Sequence, residues 1–133
     1  MNELMQSDSW PQITDEDMLK LKELPHPYTL LILRKGPRFS MDPEGIQIIR
    51  EHGRRNLRLR AAGLMVIICP VSDGGDVSGV GIFAADPDQV DKIMAGDPGV
   101  QAGLFKFEVH PTRIFPGDTI PPRSDPGPRS GFL

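Results

Sequence analysis

His52 and Asp97 are the two residues of this 133-residue chain whose types and positions favour acid–base chemistry. His52 follows Ile48 and Ile49 at the spacing of one helix face. Asp97 lies seven residues after Val90, so it continues the apolar stripe of a second helical segment. An imidazole beside a carboxylate has a fixed tautomer and can accept and donate a proton near neutral pH. The two residues are therefore candidate catalytic residues.

Each of these residues also has a purely structural explanation. A histidine at the border of an apolar helix face is usually a partly buried, hydrogen-bonded residue without catalytic work. Asp97 precedes Pro98, and Asp followed by Pro is typical of an N-cap and a first helical position, so Asp97 can instead cap a short turn. A contact between His52 and Asp97 is possible if both helices lie on one sheet face. The sequence leaves open whether such a contact is catalytic or structural.

The segments between residues 28 and 116 predict the elements that position this pair. Apolar runs bounded by Pro and Gly indicate strands, and two helical patterns each begin with an Asp-Pro cap. The predicted order is β-α-β-β-α-β, with a short additional helix between Asp97 and Leu104. The predicted strands and helices cover, in chain order, residues 28–36, 42–63, 64–71, 78–85, 86–97 and 104–111.

This order predicts an α+β fold of the ferredoxin-like type, with an antiparallel sheet and both helices on one face. The other sheet face must also be shielded from water. We predict that a second copy of the chain packs on it sheet to sheet, so the protein is predicted to be a homodimer. Residues 1–27 are predicted to be an N-terminal extension with a short helix. Residues 28–116 form the predicted domain, and residues 117–133 a Pro-rich tail.

Composition and charge exclude several classes of function. The net charge is −3 and the pI near 5.5, so no basic excess points to nucleic acid as a partner. No apolar run approaches the roughly 18 residues of a membrane span. The single cysteine, Cys69, fits a reducing compartment, and the cytoplasm is the predicted location. Cys69 ends an apolar strand and is predicted to be a buried, inert thiol.

The sequence contains no motif for binding a metal ion or a cofactor. His26 and His110 stand beside prolines and far apart, without the spacing of metal ligands. The Gly-rich stretch "SDGGDVSG" lacks the lysine and following helix of a phosphate-binding loop, so it indicates a hairpin turn. The predicted site therefore needs no cofactor, and its predicted ligand is a small organic molecule.

Two stretches of the chain together resemble the YCII-related domain family. They are "EHGRRNLRLRAAGLMVIICPV" and "GVGIFAADPDQVDKIMAGDPGVQAGLFKFEVHPTR". The shared pattern is a helical His, a strand ending in a small residue plus Pro, a Gly-led strand, an Asp-Pro before a small-residue turn, and a last strand with a basic or Pro-containing end. The resemblance covers about Tyr28 to Phe115, and the chain departs from it at Cys69-Pro70, where Gly-Pro is usual.

The resemblance implies a small cytoplasmic protein with a dimeric ferredoxin-like fold, the dimeric α+β barrel. It also implies a His–Asp pair in the active site, which falls on His52 and Asp97 in this sequence. The implied function is that of a cofactor-independent hydrolase, isomerase or lyase acting on a small molecule. The alternative is a non-catalytic dimeric scaffold or small-ligand-binding module in which the His–Asp contact is structural.

Overall fold

A computed structural model of the chain describes residues 5–22 and 26–123. Within these residues the fold is α+β, with a four-stranded antiparallel sheet and four α-helices. A short 3-10 turn, Ser7–Ser9, precedes them. The elements are α1 Asp15–Lys22, β1 His26–Lys35, α2 Pro43–Ala61, β2 Met65–Pro70, β3 Val77–Phe83, α3 Pro87–Ala95, α4 Pro98–Gln101 and β4 Phe105–Ile114. This order agrees with the β-α-β-β-α-β prediction, including the short helix after Asp97.

The sheet has the strand order β2-β3-β1-β4, so β1 and β3 are central and β2 and β4 are edges. β1 pairs antiparallel with both β3 and β4. Strand β4 is longer than predicted: it continues past Pro111 to Ile114 and pairs with β1 as far as His26. An edge strand tolerates the proline because one side of the strand needs no ladder hydrogen bonds.

Helix α2 begins and ends where the sequence predicts. The side chain of Asp42 accepts a hydrogen bond from the backbone N–H of Gly45 at 2.7 Å, and Pro43 is the first helical residue. Beyond the last turn, Gly63 has a φ of 77°, a left-handed conformation that favours glycine and stops the helix. These two ends fix the length of the helix that carries His52.

Helix α3 is defined by a capping box at its start and by a break at its end. The Gln89 side chain accepts from the backbone N–H of Asp86 at 2.9 Å, and Asp86 in turn caps the helix. The helix stops at Ala95, Gly96 follows, and α4 begins at Pro98. Asp97 therefore lies in the tight connection between two helices.

The core lies between the helices and one face of the sheet. Along β1, Thr29, Leu31 and Leu33 are buried while the residues between them are half-buried. Val90 and Met94 of α3, both fully buried, pack against this face. The stripe that begins at Val90 thus points into the core as its spacing predicts. The buried core residues are Leu31, Leu33, Met65, Phe83, Val90, Met94, Leu104 and Phe105.

The N-terminal extension contains the predicted short helix, α1. Its capping box is formed: Asp17 Oδ2 accepts from the backbone N–H of Thr14 at 3.0 Å, and Thr14 Oγ1 accepts from the backbone N–H of Asp17 at 3.1 Å. The spacing of Met18, Leu21 and Leu24 in the sequence predicts a short apolar face on this helix, yet every side chain of α1 is exposed, including Met18 and Leu21. The third residue of that face, Leu24, lies outside the described residues, as does most of the predicted tail. No helix in residues 5–22 and 26–123 is long and apolar enough to cross a bilayer.

Candidate active site

His52 and Asp97, which are 45 residues apart in sequence, are in direct contact. The Nδ1 atom of His52 lies 2.8 Å from Oδ1 and 2.9 Å from Oδ2 of Asp97. The His52 residue is 8% exposed and Asp97 is completely buried. Helix α2 carries the histidine in its middle, and the α3–α4 connection presents the carboxylate. The predicted contact therefore exists, deep under the helix layer.

Asp97 also has the structural role that its position before Pro98 predicts. It is the N-cap of α4, and its Oδ2 atom accepts from the backbone N–H groups of Gly99 at 3.0 Å and Val100 at 3.2 Å. All of these partners are donors, which suits an ionised carboxylate. The two explanations of Asp97 are thus combined in one residue: capping holds the carboxylate still, and its other contact fixes the histidine.

The contacts of His52 define its neutral tautomer. Nδ1 carries the proton and donates to Asp97, which leaves Nε2 as an acceptor. The Nδ2 atom of Asn56, one helical turn later, donates to Nε2 at 3.2 Å, and Asn56 is itself buried. Asn56 is not among the predicted site residues. Its i+4 spacing from His52 is the signal that indicates a shared helix face.

Phe105 at the start of β4 packs against the imidazole. The two ring centroids are 4.8 Å apart and the planes are tilted by 45°. Gly99 in α4 lies directly behind this ring, since a Cβ atom built on Gly99 would come within 2.5 Å of Phe105 Cδ2. The glycine is therefore required for α4 to approach β4 closely, and the phenyl ring limits the movement of His52.

His52 and Asn56 line a cavity of about 130 Å³ between α2 and the sheet. The rest of the wall is largely apolar, with Ser78 and Cys69 as further polar groups. No lysine or arginine of residues 5–22 and 26–123 belongs to the wall. The remaining lining residues are Leu31, Leu33, Ile49, Gly53, Met65, Ile68, Pro70, Gly79, Val80 and Phe105. The His52–Asp97 pair is thus not sealed inside the core, because its histidine reaches a space that a small molecule can enter.

Cys69 is exposed, so the prediction of a buried thiol is wrong. It lies one residue before the end of β2, an edge strand, where one side has no neighbouring strand. Cys69 and Pro70 both border the cavity. Cys69-Pro70, which stands where the YCII-related pattern has Gly-Pro, is therefore part of the wall of the candidate site.

A second histidine–carboxylate contact lies on strand β4. His110 Nε2 is 2.9 Å from Glu108 Oε2, and Glu108 Oε1 accepts from Arg34 Nε at 2.7 Å. Arg34 also contacts Asp76 at 3.0 Å. The Arg34 hydrogen bond, with a smaller effect of His110, lowers the pKa of Glu108. These side chains are exposed, and none of them lines the cavity beside His52.

Metal-ligating residues do not cluster within residues 5–22 and 26–123: no group of three or more His, Cys, Asp or Glu side chains is placed to hold an ion. Comparison with known proteins adds no assignment. No protein-family model matches the sequence, and no curated protein matches it significantly.

Proposed function

We propose that this protein is a small-molecule enzyme in which His52 is the general acid and base and Asp97 orients it. The observation that carries the proposal is the position of His52. It borders a cavity on one side, while its Nδ1 atom is fixed by a completely buried carboxylate on the other. A few convergent polar groups at the wall of a largely apolar cavity are typical of binding and active sites.

The proposed mechanism is a proton transfer through Nε2. When Nε2 takes a proton from a bound molecule, the ring becomes an imidazolium, and the adjacent Asp97 carboxylate balances the new charge. The three donors around Asp97 keep it in place during the transfer. Nε2 then returns the proton to another atom of the substrate. Hydrolysis, isomerisation and elimination all use such a step, and none of them requires a cofactor for it.

One contact favours a second candidate, a non-catalytic binding module with a structural His–Asp pair. Nε2, the atom that would act as the base, already accepts a hydrogen bond from Asn56 at 3.2 Å. In this alternative the hydrogen bonds of His52 serve only to join α2 to the α3–α4 connection. The two candidates differ in whether Nε2 exchanges its partner for a ligand.

Turnover of two generic probes separates these candidates. Deuterium exchange at the α-carbon of cyclohexanone reports proton abstraction, and hydrolysis of p-nitrophenyl acetate reports attack on an activated ester. For the probe that the wild type turns over, we expect His52→Ala to lose about 100-fold or more in rate. The matched control is His110→Ala, which removes an exposed histidine and keeps the rate.

The outcome for His52→Ala decides the proposal. A rate within about threefold of the wild type would exclude the general-base role, since such catalysis contributes ~100-fold or more. That result would favour the binding module. Circular dichroism of both variants shows whether the fold is intact before the rates are compared.

We further propose that the fold is ferredoxin-like and that the chain belongs with the YCII-related proteins as a dimeric α+β barrel. The strand order supports this, because β1 and β2 are joined through α2 and have β3 between them. The His52–Asp97 contact lies where the resemblance implies one. A cytoplasmic location is proposed with it, on the single cysteine.

The proposed dimer would bury the apolar part of the sheet face that points away from the core, and would leave Glu108 and His110 of the edge strand β4 at its rim. Leu30 and Ile32 of β1 lie on that face, with Ile82 of β3 opposite Leu30, and all three are only half-buried. A second copy packed on this surface would remove it from water. Light scattering at micromolar concentration is expected to give the mass of two chains, and Ile32→Glu is expected to give one. A wild-type monomer would contradict the dimer.

A further inference from the structure

Within the described residues, no lysine or arginine lines the cavity. Its polar groups are His52, Asn56, Cys69 and Ser78, none of which is a lysine or an arginine. Behind His52 lies the buried carboxylate of Asp97. A carboxylate or phosphate ligand would thus be placed near a negative charge without a cation to pair with, which is costly in an apolar cavity. The cavity therefore suits uncharged molecules.

The cavity volume limits the ligand to about one ring. At about 130 Å³ it is close to the ~150 Å³ of an engineered apolar cavity that takes up benzene. Leu31, Leu33, Met65 and Phe105 supply apolar contacts on the core side. A ring with one small substituent fills this space, and the substituent must then meet the polar wall.

The polar wall is arranged for a group that both donates and accepts a hydrogen bond. His52 Nε2 is an acceptor and Asn56 Nδ2 is a donor, and their contact of 3.2 Å is at the long end for a hydrogen bond. A hydroxyl group can enter between them, donating to Nε2 and accepting from Nδ2. An ether oxygen can only accept, so it would break the existing contact and leave Nε2 without a donor.

The amide of Asn56 is incompletely satisfied in its present contacts, which favours such an exchange. Its Oδ1 atom is buried and has no hydrogen-bond partner among the residues that the structure describes. Buried polar groups without partners are rare and carry a free-energy cost. Asn56 therefore lacks part of its hydrogen bonding in its present contacts. A ligand that replaces its contact with His52 does not disrupt a fully hydrogen-bonded pair, so the exchange costs less free energy.

From these observations we infer the class of molecule that the site binds: uncharged compounds of about the size of benzene that carry a hydroxyl group, held between His52 Nε2 and Asn56 Nδ2. The inference rests on the proposed function, because the hydroxyl hydrogen is presented to the nitrogen that would act as base. It concerns binding alone and includes no covalent step.

A series of four ring compounds tests the inference on the wild-type protein. The probes are phenol, toluene, anisole and benzoate, and the readout is the methyl resonance of Met65, which lies in the cavity wall. Phenol is expected to bind about tenfold more tightly than toluene and anisole, the value of one hydrogen bond at the upper end. Benzoate is expected not to bind in the same concentration range.

Toluene is the decisive comparison, because it has the size of phenol without the hydroxyl group. A purely apolar cavity prefers toluene, since phenol loses its hydrogen bonds to water on entry. Toluene binding as tightly as phenol would therefore overturn the inference, and so would tight binding of benzoate or no response of Met65 to any probe.

Two substitutions on the same helix show whether binding occurs in this cavity. Ile49→Phe narrows the cavity, because Ile49 is in its wall, and is expected to weaken phenol binding at least tenfold. Ile46→Phe is the matched control, since Ile46 is 42% exposed and outside the wall, and is expected to bind phenol as the wild type does. Equal phenol binding by the two variants would place the phenol elsewhere and contradict the inference.

The failure of this inference and the failure of the proposed function give different results. A preference for toluene with a large loss of turnover in His52→Ala would reject the ligand class and retain the general base. A preference for phenol with unchanged turnover in His52→Ala would retain the ligand class and favour the binding module.

Discussion

The two histidine–carboxylate contacts of this protein have nearly the same distance and very different surroundings. His52 Nδ1 lies 2.8 Å from Asp97, and His110 Nε2 lies 2.9 Å from Glu108. The side chains of the first pair are 10% and 0% exposed, and those of the second are 50% and 39% exposed. The first pair joins two helical elements, whereas the second joins neighbouring positions of one strand.

The difference shows that the contact distance alone does not indicate a site. Water competes for the donors and acceptors of the exposed pair, so the contact contributes little to stability and does little to hold the imidazole in one orientation. The buried pair is held by further hydrogen bonds from Gly99, Val100 and Asn56, and it borders a cavity. Burial, fixed partners and access for a ligand together distinguish the candidate site.

Removing the carboxylate from each pair is expected to produce the largest contrast. Asp97→Ala leaves His52 Nδ1 and the backbone N–H groups of Gly99 and Val100 buried without their acceptor. We expect it to lower the free energy of unfolding by about 3–5 kcal/mol, as for one partner of a buried pair. Glu108→Ala is the matched control and is expected to cost much less, because its contacts are exposed. Urea unfolding followed by circular dichroism measures both.

Equal free energies of unfolding for Asp97→Ala and Glu108→Ala would contradict the difference between the two contacts. That result would mean that the His52–Asp97 contact is no better protected from solvent than the contact on β4. Asp97→Asn gives an intermediate case, because an amide oxygen still accepts from the α4 backbone while the negative charge beside His52 is gone.

A smaller effect is expected from the packing that holds the buried pair. In Gly99→Ala the new Cβ atom would lie 2.5 Å from Cδ2 and 2.9 Å from Cε2 of Phe105, so the ring against His52 must move. Overpacking of this kind costs about 1–3 kcal/mol of unfolding free energy. Gly75→Ala is the control, because a Cβ atom there meets only the nearby Asp73 side chain. Thermal unfolding that is equal for both variants would contradict the close packing.

The smallest expected effect is a pH dependence of the exposed contact. Because the Arg34 hydrogen bond lowers the pKa of Glu108 below its usual 4.5, the folded state holds the ionised carboxylate more strongly than the unfolded state does. This contribution is fully present above pH 4.5 and is lost as the pH falls through the lowered folded-state pKa.

Glu108→Gln measures this contribution, since it removes the charge and keeps the size of the side chain. The stability difference between wild type and variant, from urea midpoints, is expected to be larger at neutral pH than at about pH 3. A difference that grows on acidification would have the wrong sign and would show that the carboxylate is not stabilised by Arg34 in the folded protein.

The parts of the fold that depend on neighbouring residues were predictable from the sequence. The Asp-Pro starts of α2 and α3, the glycine after α2 and the short helix after Asp97 all agree with the structure. Such signals are local because capping bonds join residues two to four positions apart. Asp97 is buried, as its spacing from Val90 indicated, but the helix predicted to reach it ends at Ala95, so Asp97 lies in the connection to α4 and not on the face of α3.

Features that depend on which strands lie at the edge were not predictable in the same way. Strand β4 extends to Ile114 because β1 is long enough to pair with it, which the sequence of β4 alone does not indicate. Cys69 follows an apolar run, yet it is exposed because β2 is an edge strand. The apolar pattern of a strand does not reveal how many neighbours that strand has.

The sequence by itself indicated that His52 lies on an inward helix face, because helical periodicity is a property of the backbone, and that Asp97 can cap the short helix that follows it. Only the tertiary structure decided that His52 and Asp97 are in contact, that Asn56 donates a hydrogen bond to His52 Nε2, and that a cavity opens beside them. The two residues are 45 positions apart, and their contact depends on how α2 and the α3–α4 connection pack together. That packing is set by the whole core, including the close approach of Gly99 to Phe105.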